Sequence, residues 1–254
     1  MTQLPSRPHT SLGGSSLVGR TVVLIGGGSG IGLRVAHHAV AAGAHVVLGG
    51  RTEDRLARAA DELGGGDAVR WRTVDVTDEE SLAALFAEVD RVDHLFTTAA
   101  TYRVGPLREL DARDAESPFT SKFWGQYHAV RHAAPKLSGD ASVVLMAGAA
   151  GARPPGPAPA YAACNAAIEG LGRGLAVELA PVRVNVVSPG TVDGHLWAGR
   201  PAADRDAAFA QYERDTVLHR TGTEDEIAHA VLFLFTNGYT TGSTLYPDGG
   251  YTFR

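Results

Sequence analysis

An apolar run, Val22-Val23-Leu24-Ile25, empties directly into Gly26-Gly27-Gly28-Ser29-Gly30-Ile31-Gly32, and a helical pattern follows. That order reads as a strand, a tight turn and a helix whose N-terminus is left bare. Glycine lets the backbone take positive φ and lets a ligand approach the main chain. The unpaired N–H groups of the first helical turn, with the helix dipole behind them, then make a seat for a pyrophosphate. Gly26, Gly28, Ser29, Gly30, Ile31 and Gly32 are therefore the candidate phosphate contacts. Gly26, Gly30 and Gly32 have three and one residues between them, which differs from the commoner G-x-G-x-x-G spacing.

The rest of the chain repeats this alternation. Further strands are predicted at 44–48, 69–74, 92–97, 142–146, 182–187 and 243–246, and helices at 30–42, 53–63, 79–89, 114–136, 161–179 and 224–236. Strands alternating with helices imply right-handed crossovers and a parallel sheet. The predicted fold is α/β: a single-domain, Rossmann-like, doubly wound parallel sheet with helices on both faces, over 19–254. Residues 1–18, rich in Ser, Pro, Gly and Thr, read as a disordered leader. In such sheets ligands sit beyond the carboxyl ends of the strands, so loops 26–32, 49–52, 75–77, 97–101, 147–160 and 188–216 should share one rim.

A net charge of -5 and a pI near 6.0 leave no basic surplus for nucleic acid. Arg51, Arg55 and Arg58 read as one solvated helix face. No apolar stretch approaches the roughly 20 residues that span a bilayer, so no membrane role is expected. The lone Cys164 excludes an internal disulfide and a cysteine-rich metal site, which suits a reducing, cytoplasmic setting. It reads as a small buried filler. His128, His132 and His229 read as surface or packing residues on helices, and no His/Asp/Glu group has metal-ligand spacing.

Five segments together resemble the short-chain dehydrogenase/reductase family over about 19–250. Gly26-x-x-x-Gly30-Ile31-Gly32 is similar to its cofactor turn, and Asp75-Val76 to the acid that meets adenine. Tyr161-x-x-x-Asn165 stands where the family has Tyr-x-x-x-Lys. Arg183 to Gly190 resembles the segment lining the nicotinamide, and Asp248-Gly249-Gly250 the C-terminal signature. The resemblance implies a nicotinamide cofactor held also by Thr98 and Ala99 after strand four, and by Pro189, Gly190 and Val192. It implies hydride transfer between nicotinamide and a carbonyl carbon, with Tyr161 as proton donor or acceptor. The family's serine position is here Gly148, its lysine position Asn165, and its asparagine position Lys122. Lys122 and Asn165 look like an exchange of two groups facing one volume. We expect Lys122 to replace the missing cation beside Tyr161, with a solvated Lys122 as the competing reading.

The resemblance places an NAD-selecting acid at the end of strand two, where this chain has Gly50 followed by Arg51. A guanidinium suits a 2′-phosphate, so NADP(H) is expected over NAD(H). Residues 191–216 are the family's variable substrate cover. Gly148, His195 and Trp197 are the candidate substrate contacts, and the substrate is expected to be a small apolar carbonyl compound. Family habit implies a homo-oligomer, dimer or tetramer, through helices 114–136 and 161–179. Gly148 and Asn165 keep two other classes open: a cofactor-bound dehydratase, isomerase or cyclase, and a catalytically silent scaffold.

Overall fold

The structure, a computed structural model, describes residues 17–254. Residues 1–16 of the expected leader lie outside the described residues. Leu17, inside the same segment, is buried in the core and belongs to the folded unit.

The strands are β1 (Thr21–Ile25), β2 (His45–Gly50), β3 (Val69–Thr73), β4 (Val92–Thr97), β5 (Leu137–Met146), β6 (Arg183–Val187), the short β7 (Val192–Asp193) and β8 (Gly222–Thr223), and β9 (Thr244–Leu245). The helices are α1 (Gly30–Ala41), α2 (Glu53–Glu62), α3 (Glu79–Ala87), α4 (Ala112–Pro118), α5 (Trp124–Ala133), α6 (Pro159–Glu178), α7 (His195–Ala198), α8 (Ala202–Asp215) and α9 (Glu224–Thr236). Seven strands form one parallel sheet in the order β3-β2-β1-β4-β5-β6-β9, and β7 pairs with β8 apart from it.

Alternation along β1 explains the two layers. Val23 and Ile25 point into one core with α3, α5 and α6, while Val22 and Leu24 point into another with α1, α2 and α9. Both faces are covered, so the central strands are nearly continuous apolar runs. The chain leaves β3 at one edge and returns beside β1 as β4, which puts the switch of direction between β1 and β4. Ligand crevices of doubly wound sheets open there.

Three departures from the sequence reading matter. The single helix expected over 114–136 is α4, a π turn at Phe119–Phe123, α5 and a short 3-10 turn. Pro118, at the end of α4, has no N–H to continue the regular ladder. Strand β5 begins at Leu137 because Leu137 pairs with Val92 before a register shift carries Ser142 opposite His94. The stretch 191–216, expected as a cover, contains a helix of its own, α8, anchored by buried Tyr212.

Candidate active site

The glycine turn closes against the first residues after β4. Gly26 takes φ +98° and donates its N–H to the Gly49 carbonyl at 2.7 Å. A Cβ at Gly26 would stand 2.8 Å from the Ala99 nitrogen, and one on Gly32 would collide with the Gly26 carbonyl oxygen. Gly26 and Gly32 therefore admit no side chain of their own where the turn closes. Ser29 caps α1 in an extended conformation without a side-chain capping bond, so its hydroxyl does not occupy the first-turn amides. Further along the rim, the Asp75 carboxylate accepts from the Thr77 N–H at 2.9 Å and its hydroxyl at 2.7 Å. Those bonds from Thr77, working against partial burial and helped by the Arg51 charge, hold the Asp75 carboxyl below the usual range. Arg51 itself is exposed at the end of β2. A bare helix start, a cradle that any Cβ would fill and a carboxylate at the far end together fit a dinucleotide.

Sequence reasoning missed two residues here. The Glu224 carboxylate, at the start of α9, accepts the His195 N–H at 2.6 Å and lies 3.2 Å from where a Gly30 Cβ would stand. Arg55, read as solvated, packs beside Gly28 and brings its guanidinium within 3.5 Å of His195 Nε2. His195 thus lies over the glycine turn. Trp197 meets Phe209 edge-on at 5.4 Å, with the Arg200 guanidinium 4.5 Å from its ring.

The chemistry-bearing cluster lies where β5, the π turn and α6 converge. Gln126 clamps the end of β5, accepting from the Met146 N–H at 2.8 Å and donating to its carbonyl at 3.0 Å. This fixes Ala147 and Gly148 relative to α5. The π turn directs Lys122 inward, where it is only 5% exposed. Its Nζ donates to the Ala147 carbonyl at 2.8 Å and to Asn165 Oδ1 at 2.5 Å. Asn165, one turn after Tyr161 on α6, donates back to the Tyr161 carbonyl at 2.8 Å. The Lys122 nitrogen ends 5.4 Å from the centre of the Tyr161 ring. A solvated Lys122 is ruled out by this burial.

Burial pushes the Tyr161 phenol up, but the Lys122 charge and hydrogen bonding from Tyr102 and the Asn165 amide outweigh it. The net effect is a Tyr161 pKa below the ordinary phenol value. A Cβ at Gly148 would stand 3.6 Å from the Tyr161 hydroxyl and 3.2 Å from Asn165 Oδ1, so position 148 directly faces both groups and a side chain there would press on Asn165. Tyr102, on the loop after β4, stacks on Tyr161 with ring centres 5.0 Å apart. The sequence reading passed over Tyr102, whose loop carries no periodic signal. Cys164 is fully buried, donates to the Pro118 carbonyl at 3.3 Å, and is pushed by burial to about 11, as befits a filler. Among the described residues no group of His, Cys, Asp and Glu could hold a metal ion, and no helix is long and apolar enough to cross a membrane.

A parallel sheet switching direction at a glycine cradle, with a lysine-flanked tyrosine at its rim, defines a nicotinamide-dependent oxidoreductase architecture. The family described as enoyl-(acyl carrier protein) reductase matches residues 26–252. The cis-4-hydroxycyclohexanecarboxylate dehydrogenase of Sinomonas cyclohexanicum is 34% identical over 254 residues, covering 94% of this chain and 99% of the relative. Among solved structures, the MalC reductase/Diels-Alderase of Malbranchea aurantiaca superposes with a TM-score of 0.86 at 26% identity, covering 94% of this chain and 99% of that one. An NADPH-bound short chain oxidoreductase from Pseudomonas aeruginosa PAO1, containing an atypical catalytic center, superposes with a TM-score of 0.83 at 30% identity, covering 91% and 96%. The chain belongs to the short-chain dehydrogenase/reductase family and is an oxidoreductase of it.

Proposed function

We propose that this protein is an NADP(H)-dependent reductase of a small, apolar carbonyl compound, with Tyr161 as proton donor, Lys122 as its supporting cation and Asn165 as the group that seats Lys122. The observation that carries this reading is the Lys122 nitrogen anchored between the Ala147 carbonyl and Asn165, 5.4 Å from the Tyr161 ring. Gly26, Gly28, Ser29, Gly30, Ile31 and Gly32 would hold the pyrophosphate, Asp75 and Val76 the adenine, and Thr98, Ala99, Pro189, Gly190 and Val192 the nicotinamide half. A bound nicotinamide supplies the hydride. Tyr161 gives its proton to the substrate oxygen, and the Lys122 charge stabilises the phenolate that remains. Gly148 and Trp197 would border the substrate, while His195, expected there, stands over the glycine turn and would lie nearer the cofactor. The expectation of an apolar substrate is supported by the aromatic and apolar residues of the 191–216 cover, Leu196, Trp197 and Phe209 among them.

Arg51, following Gly50, supports NADP(H) because no acid at the end of β2 would repel a 2′-phosphate. Arg51→Ala is expected to weaken NADPH binding about tenfold, or about 1.4 kcal/mol, while NADH binding stays nearly constant. Calorimetric titration of both dinucleotides checks this, and equal losses for the two would count against it. Exposed Trp124 and Tyr127 on α5 suit a homo-oligomer, dimer or tetramer, and the single cysteine suits the cytoplasm. The reading as a whole is tested by following NADPH absorbance with a panel of apolar ketones. Tight NADPH binding with no oxidation by any ketone would favour instead the non-redox reading, which rests on Gly148 and Asn165 standing at the family's serine and lysine positions.

A further inference from the structure

Gly148 faces the Tyr161 hydroxyl, and that hydroxyl has a second phenol beside it. The hydroxyl of Tyr102 lies 3.4 Å from that of Tyr161, their rings are stacked, and Lys122 Nζ stands 5.9 Å from the Tyr102 ring against 5.4 Å from that of Tyr161. Two hydroxyls therefore converge where the family resemblance calls for one tyrosine and one serine. We propose that Tyr102 is a catalytic residue, donating to the substrate's carbonyl oxygen the hydrogen bond that no serine at position 148 can donate. This rests on Tyr161 being the proton donor of a carbonyl reduction.

The division of labour follows from who faces whom. Lys122 on the π turn, Tyr161 and Cys164 on α6, and Arg200 beyond α7 are the titratable groups acting on the pair. Burial, then the repulsion of a charged Tyr161 and the bond donated to it, drive Tyr102 well above the ordinary phenol value, whereas Tyr161 is held below it. Two like groups pushed apart by their surroundings take different tasks. Tyr102 stays a neutral donor throughout; Tyr161 is the one that gives up its proton. With substrate absent, Tyr102 donates to the Tyr161 oxygen. With a carbonyl bound against Gly148, the same O–H would turn to the carbonyl oxygen and Tyr161 would give its proton to that oxygen, the hydride for the carbon being what a bound nicotinamide would supply. No further reductant or proton source is required for the single turnover.

Tyr102→Phe keeps the stacked ring and removes only the donor. It is expected to lower kcat for ketone reduction about 10²-fold, the loss typical of one oxyanion donor, with NADPH affinity little changed. Gly148→Ser added to Tyr102→Phe is expected to recover about tenfold, its hydroxyl replacing the lost donor once Asn165 Oδ1, 3.2 Å from the new Cβ, gives way slightly. An unchanged kcat in Tyr102→Phe would overturn the proposal while leaving the reductase reading intact. A second measurement needs no turnover: tyrosinate absorbance of the cofactor-free protein followed against pH. The earliest-titrating phenol should vanish in Tyr161→Phe and move to higher pH in Tyr102→Phe. Titration curves that are the same in Tyr102→Phe and the parent would also overturn it. If no ketone is reduced, the reductase reading fails and the catalytic role of Tyr102 falls with it, however the phenols titrate.

Discussion

Lys122→Ala is expected to lower ketone reduction by about 10³-fold and to leave the affinity for NADPH within about twofold. The nitrogen contacts the Ala147 carbonyl, Asn165 and the space beside Tyr161, none of which belongs to the glycine cradle. Without that charge, burial is the main influence left on the phenol and drives its pKa upward. An unaided phenol near pKa 10 is ionised in roughly one part in a thousand at pH 7, so alcohol oxidation, which needs the phenolate, suffers more than ketone reduction. The pH profile separates chemistry from damage. Reduction by the parent should fall as pH rises through the lowered Tyr161 pKa, and in Lys122→Ala that fall should move to higher pH. Truncation also strands two acceptors, at a stability cost of about 1–3 kcal/mol that a melting curve reads independently. The double exchange Lys122→Asn with Asn165→Lys returns each group to the position the family uses, and should restore most of the lost rate. Unchanged turnover in Lys122→Ala would retire the assignment of Lys122.

The exchange was legible in the sequence because it is a matter of register. Tyr161 and Asn165 are four apart on one helix face, and Lys122 falls at a fixed place on the preceding helix. What stayed hidden was the device that turns Lys122 inward. A regular helix over 114–136 would have set different faces toward the crevice; the π turn after Pro118 resets them, and no periodicity announces a π turn. Tyr102 was hidden for another reason. It sits on an irregular loop, where only tertiary structure decides what a side chain meets. Its partner lies 59 positions away in the chain. Glu224 and Arg55 reach the glycine turn in the same long-range way. The sheet, by contrast, was readable almost whole. The apolar runs of β1, β2 and the end of β5, each closed by glycine, and the alternation along β3 mark strands between helical segments, and the crossover rule supplies the rest.

Away from the site, the same sheet carries a group whose burial has a measurable consequence. Lowering the pH from 7 to about 4.5 is expected to remove most of about 3 kcal/mol of folding stability through His94 alone. His94 lies on β4, 6% exposed, with its ring stacked on Phe235 of α9 at 4.7 Å and Nδ1 without a hydrogen-bond partner among the described residues. Burial first, with Arg183 and Arg20 assisting and Asp93 and Asp140 opposing, depresses its pKa from 6.5 to about 4. Between those two values the unfolded chain binds the proton and the folded chain does not. Stability is therefore complete above pH 6.5 and drains away as pH falls toward 4. The paired carboxylates act in a lower window: Asp140 and Glu226 are held near 2 by Arg20 and Arg220, so their contributions are lost chiefly below pH 4. Denaturant unfolding at steps between pH 7 and 4.5 isolates the histidine. His94→Leu keeps an apolar contact with Phe235 and cannot take up the proton, so its stability should be markedly flatter over that interval. Parallel curves for the two proteins would show that His94 is not the group responsible.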